Sequence, residues 1–370
     1  MLRALARVNL AAIERNCARL AFVAAPAALC AVVKADGYGH GAVPAARAAQ
    51  AGGAAWLAVA TAAEAAELRD GGVGGPLLVL GALSAEELDV ALLAGADVAC
   101  WREAAAEAIA RRAGELGLRA GVHVKLDTGM GRLGTRDVDE ATQTAEVVLA
   151  AASLRLAGVF THFATADEDD PGFLREQLAA FTAWADGIRA RRPEVVVHAA
   201  NSAATLAEPA ARLDMVRCGI AIYGLDPFQS DPAEQGLEPA LELRSYLAEV
   251  KPCAKGQSAG YGRRFVAERD TWLGTIPIGY GDGYRRGLTN NAEVVIDGSR
   301  VPVVGAVSMD NITVDLGPDP EAEAGAPVTL IGDGVRAEEL AARLATINYE
   351  ITCGISRRVP REHHRDGEPA

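Results

Sequence analysis

The chain has 370 residues, enough at roughly 150 residues per domain for two domains with separate cores, which excludes a peptide ligand or a small disulfide scaffold. Half of the residues are apolar and 23% are charged, but only 5% are aromatic, so Ala, Val and Leu must fill the interior, as helix-rich folds and parallel sheets allow. The 36 Lys+Arg against 49 Asp+Glu leave a net charge of −13, and no basic cluster offsets it, which argues against a nucleic-acid partner.

Leu2–Val8 reads as a strand that precedes the first repeating unit and pairs with the C-terminal part of the chain. Arg3, Arg7, Glu14, Arg15 and Arg19 interrupt any signal-peptide apolar region, so a cytoplasmic protein is expected. Ala21–Val33 is the most apolar early stretch, but it contains Pro26 and is shorter than the roughly 18 residues a membrane helix needs; no membrane partner is expected. The cysteines at 17, 30, 100, 218, 253 and 353 include no CxxC pair, which suits buried small hydrophobes better than disulfides or metal ligands. No metal is expected.

From residue 28 short apolar runs alternate with Ala/Glu/Arg-rich stretches of helical period, the pattern of repeated βα units. Strands are predicted at Leu29–Val33, Ala55–Ala60, Leu77–Leu80, Asp97–Cys100, Gly121–Leu126, Leu154–Thr161, Val195–His198 and Leu213–Val216. Thr61 with Glu64 and Ser84 with Glu87 fit capping boxes at the starts of helices between them. Eight successive units predict a closed TIM-type (β/α)8 barrel over 9–235, an α/β fold, with an open doubly wound sheet as the alternative. Glu168-Asp169-Asp170 reads as a solvated loop. From 236 to 370 the texture becomes short β segments such as Trp272–Ile278, Glu293–Ile296, Val301–Val304 and Val328–Ile331, separated by Gly/Asp turns, which predicts a mainly-β domain joined by the N-terminal strand 1–8. The polar tail from Arg361 onward is expected to fray.

Barrel active sites gather at the carboxyl ends of the strands, so the residues after each run carry the functional reading. The first strand runs into Lys34-Ala35-Asp36-Gly37-Tyr38-Gly39-His40-Gly41. A poorly solvated lysine there has a lowered pKa, and its neutral amine can form an imine with a carbonyl; a salt-bridged structural lysine is the alternative. The fifth strand carries Lys125 into Asp127-Thr128-Gly129-Met130-Gly131-Arg132-Leu133-Gly134, the sixth leads to His162, and the seventh to Asn201-Ser202. The eighth leads to Arg217-Cys218-Gly219-Ile220. Singly, His162 reads as a core histidine and Asn201-Ser202 as a helix cap. Together, the cations, helix-start hydroxyls and glycine amides suit a phosphorylated cofactor. Gly129 to Gly134 also spells GxGxxG, but Ala150 to Ala166 contains no acidic residue for the ribose, so a dinucleotide-dependent dehydrogenase is disfavoured.

These three stretches, from Val32 to Gly41, from Lys125 to Gly134 and from Arg217 to Gly224, resemble alanine racemases. Gly260-Tyr261-Gly262, Ile276 to Gly283, Ser308-Met309-Asp310 and Arg358-Val359-Pro360-Arg361 resemble that family's C-terminal half, so the likeness runs in order along nearly the whole chain. It implies an isomerase that interconverts L-alanine and D-alanine for cell-wall peptidoglycan. It also implies pyridoxal 5'-phosphate as cofactor, an amino acid as substrate, and a homodimer with shared active sites.

By this resemblance Lys34 anchors the cofactor and is the base for the D-enantiomer, while Tyr261 from the neighbouring subunit serves the L-enantiomer. Racemisation needs acid/base groups on opposite faces of the substrate carbon. Arg217, supported by His162, matches the residue facing the pyridine nitrogen, where a permanent cation disfavours ring protonation. Arg132 matches the contact to cofactor phenolate and substrate carboxylate, and Met309 a substrate-carboxylate contact through its amide. Tyr38, Asn201, Ser202, Gly219 and Ile220 match cofactor-binding positions, and Tyr280 and Asp310 supporting or entryway positions. Lys125 matches a lysine that many members carry as the carbamate. Arg357 replaces a frequent tyrosine before Arg-Val-Pro-Arg, and Ala306 a frequent entryway arginine, so the resemblance leaves open a racemase of wider specificity, toward serine for example. A non-catalytic pyridoxal-phosphate carrier would not need Tyr261 or Met309, and an amino-acid decarboxylase would gain from a protonated ring that Arg217 opposes.

Overall fold

The computed structural model describes residues 2–370, which form two compact units. The chain passes between them after Ala12 and after Ile222, and the short segment Tyr38–Gly41 belongs with the later residues.

The first unit, Ile13–Gly37 with Ala42–Ile222, is a closed parallel barrel. After an initial strand β1 (Leu5–Asn9), its strands are β2 (Ala28–Val32), β3 (Trp56–Val59), β4 (Leu77–Val79), β5 (Asp97–Cys100), β6 (Ala120–Lys125), β7 (Leu154–Phe160), β8 (Val196–His198) and β9 (Met215–Cys218). β9 pairs with β2, placing Cys30 opposite Arg217, and this closure rules out the open sheet. Seven of the predicted strands agree within one residue at each end. The eighth is displaced by two at both ends: Leu213 takes a left-handed φ of 49°, which a strand residue cannot share, so pairing starts at Met215. Arg217 therefore lies within the barrel wall instead of following it. Strands covered on both faces are almost wholly buried, as all six residues of β6 are.

Helices Ala62–Asp70 and Ala85–Leu93 start with the two predicted capping boxes, Thr61 with Glu64 and Ser84 with Glu87. Glu64 has a further task. Its Oε2 accepts from the amides of Ala60 and Thr61, while its Oε1 accepts from the amide of Ala35 at 2.6 Å. That amide opens a left-handed turn directly after Lys34, in which Ala35, Asp36, Gly37 and Tyr38 have φ of 53°, 55°, 60° and 53°. Glycine is at ease there, but each other residue costs about 1–2 kcal/mol. Further support comes from Gly37 N–H to Val33 O at 3.0 Å and Ala42 N–H to Asp36 Oδ1 at 3.0 Å.

The second unit centres on a ten-stranded sheet. β1 runs antiparallel to Leu241–Tyr246 and parallel to Arg361–Arg365, so the initial segment pairs with the C-terminal residues as expected. The tail is not frayed. Arg361–Arg365 is a strand, Glu368–Pro369 pairs back onto it, and the Arg361 guanidinium donates to the carbonyls of Gly39, Ile355, Ser356 and Val359 at 2.7–3.1 Å. Two short helices, Ala337–Arg343 and Asn348–Cys353, interrupt the otherwise β texture. Five of the six cysteines are buried; Cys353 is exposed, contrary to the expectation that all lie in the core. Among the described residues no helix is long and apolar enough to cross a membrane.

Replacing Glu64 by Ala removes both the capping partner and the acceptor of the Ala35 amide. A loss of about 1–2 kcal/mol in unfolding free energy is expected, read by urea titration, with faster hydrogen exchange at Ala35; an unchanged Ala35 rate contradicts the role given to Glu64.

Candidate active site

At the carboxyl end of the barrel, Lys34 follows β2 and is half-buried, Lys125 closes β6, and His162 follows β7. Arg217 lies in β9 with 4% of its surface exposed. Its Nη2 donates to the carbonyls of Thr161 (2.8 Å) and Ala199 (2.9 Å) and to His162 Nδ1 (3.2 Å), and its Nη1 donates to His198 Nδ1 (2.8 Å). Burial lowers the Arg217 pKa to about 10, so it stays a cation at neutral pH. Burial first, then the positive charges of Arg217, Lys125, Arg132 and Lys34, hold His162 well below the usual histidine range. Lys125, which lies 5.5 Å from the centre of the Phe160 ring, is pushed down to about 8 by burial, Arg217 and Arg132, with Asp127 opposing. Lys34, Lys125, Arg132, His162 and Arg217 thus form one predominantly positive cluster.

The Gly-rich loop before Arg132 folds around its own carboxylate. Asp127 Oδ1 accepts from the amides of Gly129 and Gly131, both at 3.1 Å. Burial alone would raise the Asp127 pKa, but these amides and Arg136 hold it below the usual range. Amides committed to Asp127 do not cradle a pyrophosphate, which together with the closed barrel removes the dinucleotide reading. Arg132 itself is exposed. Asn201 caps helix Ser202–Ala207 by accepting from Ala204 N–H at 2.9 Å. The Ser202 hydroxyl oxygen accepts from Gly219 N–H at 3.0 Å and Ala221 N–H at 3.4 Å, fixing the turn that contains Ile220 and leaving its own proton to donate.

The remaining predicted residues belong to the other unit. Tyr38 is buried with its ring 5.1 Å from Tyr223 and 6.0 Å from Tyr349. Tyr261 stands between Gly260 and Gly262, both at positive φ, and is 74% exposed; Met309 and Tyr280 are 52% and 42% exposed. The loops that bear Tyr280 and Met309 are tied together. Tyr280 N–H donates to Ser308 O (3.0 Å) and Gly281 N–H to Met309 O (2.9 Å), while a Cβ at Gly279 would lie 2.2 Å from Ser308 O. Asp282 is the anchor. Fully buried, it accepts from Arg3 (2.6 Å), Arg358 (2.7 Å) and the Gly279 amide (2.9 Å). Burial pushes its carboxyl up, but the two guanidiniums hold it below the ordinary carboxylate value. Arg358 also pairs with Asp310. Of the two departures from the family pattern, Arg357 is exposed and Ala306 buried.

Sequence reasoning did not anticipate Asp97, His123, Asp282 or the second task of Glu64, and it quoted His198 without giving it a role. The available signal was a histidine between the fully buried valines Val122 and Val124, in a strand otherwise suited to an apolar interior.

The family model for the alanine racemase N-terminal domain matches residues 8–227, and that for the alanine racemase C-terminal domain matches residues 240–363. Alanine racemases of Desulfovibrio desulfuricans and Symbiobacterium thermophilum are 40% and 42% identical to the chain, each alignment covering 96% of both sequences. The crystal structure of alanine racemase from D-cycloserine-producing Streptomyces lavendulae superposes with a TM-score of 0.94 at 39% identity, over 98% of this chain and 97% of that one. The Bacillus anthracis alanine racemase with bound L-Ala-P gives 0.91 at 36% identity, over 100% and 97%. With both halves matched in order and the likeness extending over the whole length, the chain belongs to the alanine racemase family.

Proposed function

We propose that this protein interconverts L-alanine and D-alanine with bound pyridoxal 5'-phosphate, as a cytoplasmic homodimer that supplies D-alanine for the cell wall. The observation that carries the reading is the positive cluster at the end of the barrel: the charges that weigh most on His162, those of Arg217, Lys125, Arg132 and Lys34, are all positive, and such a cluster is stabilised by anionic groups beside it. A phosphate, a phenolate and a substrate carboxylate meet that need. Buried free cysteines fit a reducing compartment.

Lys34 is the anchor of the cofactor. Ser202 and the turn at Gly219 and Ile220, with Tyr38, would hold the phosphate, and Asn201 would keep the helix start in place. When bound, the cofactor delocalises the electron pair left at the substrate Cα. Arg217 serves the ring nitrogen: a guanidinium that remains a cation with a pKa of about 10 donates a hydrogen bond there without surrendering a proton. His162, held neutral, accepts from Arg217 and adds no further charge. Arg132 would bind the substrate carboxylate, with the Met309 amide as second donor. With its pKa near 8, Lys125 exposes a neutral amine fraction that can take up CO2 as a carbamate with release of a proton, and the new anion would orient Arg132.

Two bases are required because the proton leaves one face of Cα and returns to the other. Lys34 Nζ handles the proton on one face, and the hydroxyl of Tyr261 of the partner subunit that on the other. A tyrosine left 74% exposed by its own chain, in a unit that also exposes Met309 and Tyr280, suits a surface completed by a second copy. Tyr280 and Asp310 would line the entry.

Incubation with L-alanine and with L-serine, each followed by resolution of enantiomers, tests the reaction: D-alanine should accumulate to an equal mixture. Failure to racemise alanine overturns the proposal, and comparable turnover of serine makes the enzyme a broader racemase. Borohydride reduction of the loaded protein should leave the pyridoxyl label on Lys34 in peptide maps; a label on another lysine rejects that anchor. Finally, mixing inactive Lys34→Ala and Tyr261→Ala subunits under conditions of demonstrated exchange should restore activity, because one site of each heterodimer then receives both bases. A silent, cofactor-loaded heterodimer rejects the shared site.

A further inference from the structure

The barrel interior holds a line of polar side chains where such barrels ordinarily pack branched apolar ones. Arg217 Nη1 meets His198 Nδ1 at 2.8 Å, His198 Nε2 meets His123 Nδ1 at 2.9 Å, and His123 Nε2 meets Asp97 Oδ2 at 3.3 Å. The direction of every bond follows from chemistry. A guanidinium only donates, so His198 Nδ1 accepts. Burial holds both imidazoles below the usual histidine range, reinforced at His198 by Arg217 and opposed at His123 by Asp97, so both are neutral at neutral pH. His198 therefore carries its proton on Nε2 and donates to His123 Nδ1, and His123 carries its own on Nε2 and donates to Asp97.

The line is built into neighbouring strands. A Cβ at Gly121 of β6 would lie 2.0 Å from Asp97 Oδ1, and one at Gly158 of β7 would lie 2.4 Å from His123 Nδ1, so both glycines clear space for these side chains. Phe160 lies flat against His198 at 5.0 Å between ring centres, with an interplanar angle of 2°, and Trp56 meets His123 edge-on at 5.7 Å. At the outer end Arg155, with a side chain 50% exposed, donates to Asp97 at 3.1 Å.

We propose that Asp97 is a positioning residue for the racemisation assigned above, acting through His123 and His198 to hold the Arg217 guanidinium in a single orientation; the inference rests on the reading of Arg217 as the residue that serves the cofactor ring. Without the carboxylate, the Nε2 proton of His123 loses its acceptor. The other tautomer then becomes competitive, and its Nδ1–H must donate to His198 Nε2. That moves the His198 proton to Nδ1, directly against Arg217 Nη1–H. Two donors facing each other repel, and the guanidinium is driven from its seat. A fully satisfied polar line costs an interior little. What Asp97 adds is its direction.

Nitrogen-15 labelling of the six histidines in the cofactor-loaded protein reads the line directly. The unmutated protein should show both His123 and His198 as Nε2–H tautomers with hydrogen-bonded proton shifts. In Asp97→Ala a His198 Nδ1–H signal should appear, and kcat for alanine should fall roughly 10–100-fold, the usual effect of losing an outer hydrogen-bond partner of a site, with KM unchanged. Gly121→Ala, which crowds the carboxylate aside without removing it, should produce the same histidine signal. An Nδ1–H tautomer of His198 in the unmutated protein overturns the proposal whether or not any variant folds. So does Asp97→Ala with both histidine signals and kcat unaltered. If the unmutated protein racemises no amino acid, the assigned reaction fails while the histidine spectra still decide whether Asp97 directs the line.

Discussion

A permanent cation inside a parallel barrel is the constraint on which the site depends. Moving a guanidinium out of water costs several kcal/mol even after relaxation, and Arg217 recovers this through four hydrogen bonds, to two backbone carbonyls and two imidazole nitrogens. Those acceptors come from the ends of β7 and β8 and the residues following them, so three adjacent strands must keep register for the cation to be tolerated. Once seated, its charge depresses His162 and Lys125. Burial first and this charge second set the protonation states of its neighbours, giving a neutral histidine and a part-neutral lysine.

The other stress at the site is steric. Three non-glycine residues after Lys34 occupy the left-handed region, together costing about 3–6 kcal/mol. Such a conformation persists only where surrounding bonds over-determine it, and Glu64, Val33 and Asp36 supply them. The barrel helix that Glu64 caps is thus coupled to the backbone that aims Lys34. Desolvation at Arg217 and torsion at residues 35–38 are both offset by the well-packed strands and helix starts around them, which is why the site lies on the barrel's most regular part.

That regular part is what the sequence made legible. Apolar runs and capping boxes located seven of eight barrel strands closely, because burial on both faces writes itself as unbroken hydrophobic residues. The eighth was displaced because a left-handed Leu213 leaves no composition signal, and the error hid that Arg217 is a wall residue. Strand-end motifs and their family likeness brought Lys34, Lys125, Arg132, His162, Ser202 and Arg217 to notice, and these do converge. Asp97 and His123 stayed hidden because their partnership depends on barrel closure and shear, which bring together residues 26, 75 and 19 positions apart in the chain. Gly121 and Gly158 were visible as strand glycines, but what they make room for emerges only in three dimensions. The tail misled for a related reason: Arg361 looks like surface polarity until its carbonyl partners are known.

The β unit solves a different problem, that of keeping exposed groups in place. Tyr280 and Met309 gain little from burial in their own chain, so their side chains cannot anchor the loops. The anchor is instead electrostatic and lies beneath: Asp282, fully buried between Arg3 and Arg358, draws the chain's beginning, the 279–283 turn and the segment before the final strand to one point, and the 308–309 carbonyls are bonded to that turn. Because these bonds lie within one chain, the entropy of fixing the loops is part of the folding free energy. Buried charge at Asp282 and the exposed side chains of Tyr280 and Met309 are therefore two parts of one arrangement, in which the stability of the sheet is used to hold side chains that are themselves little buried.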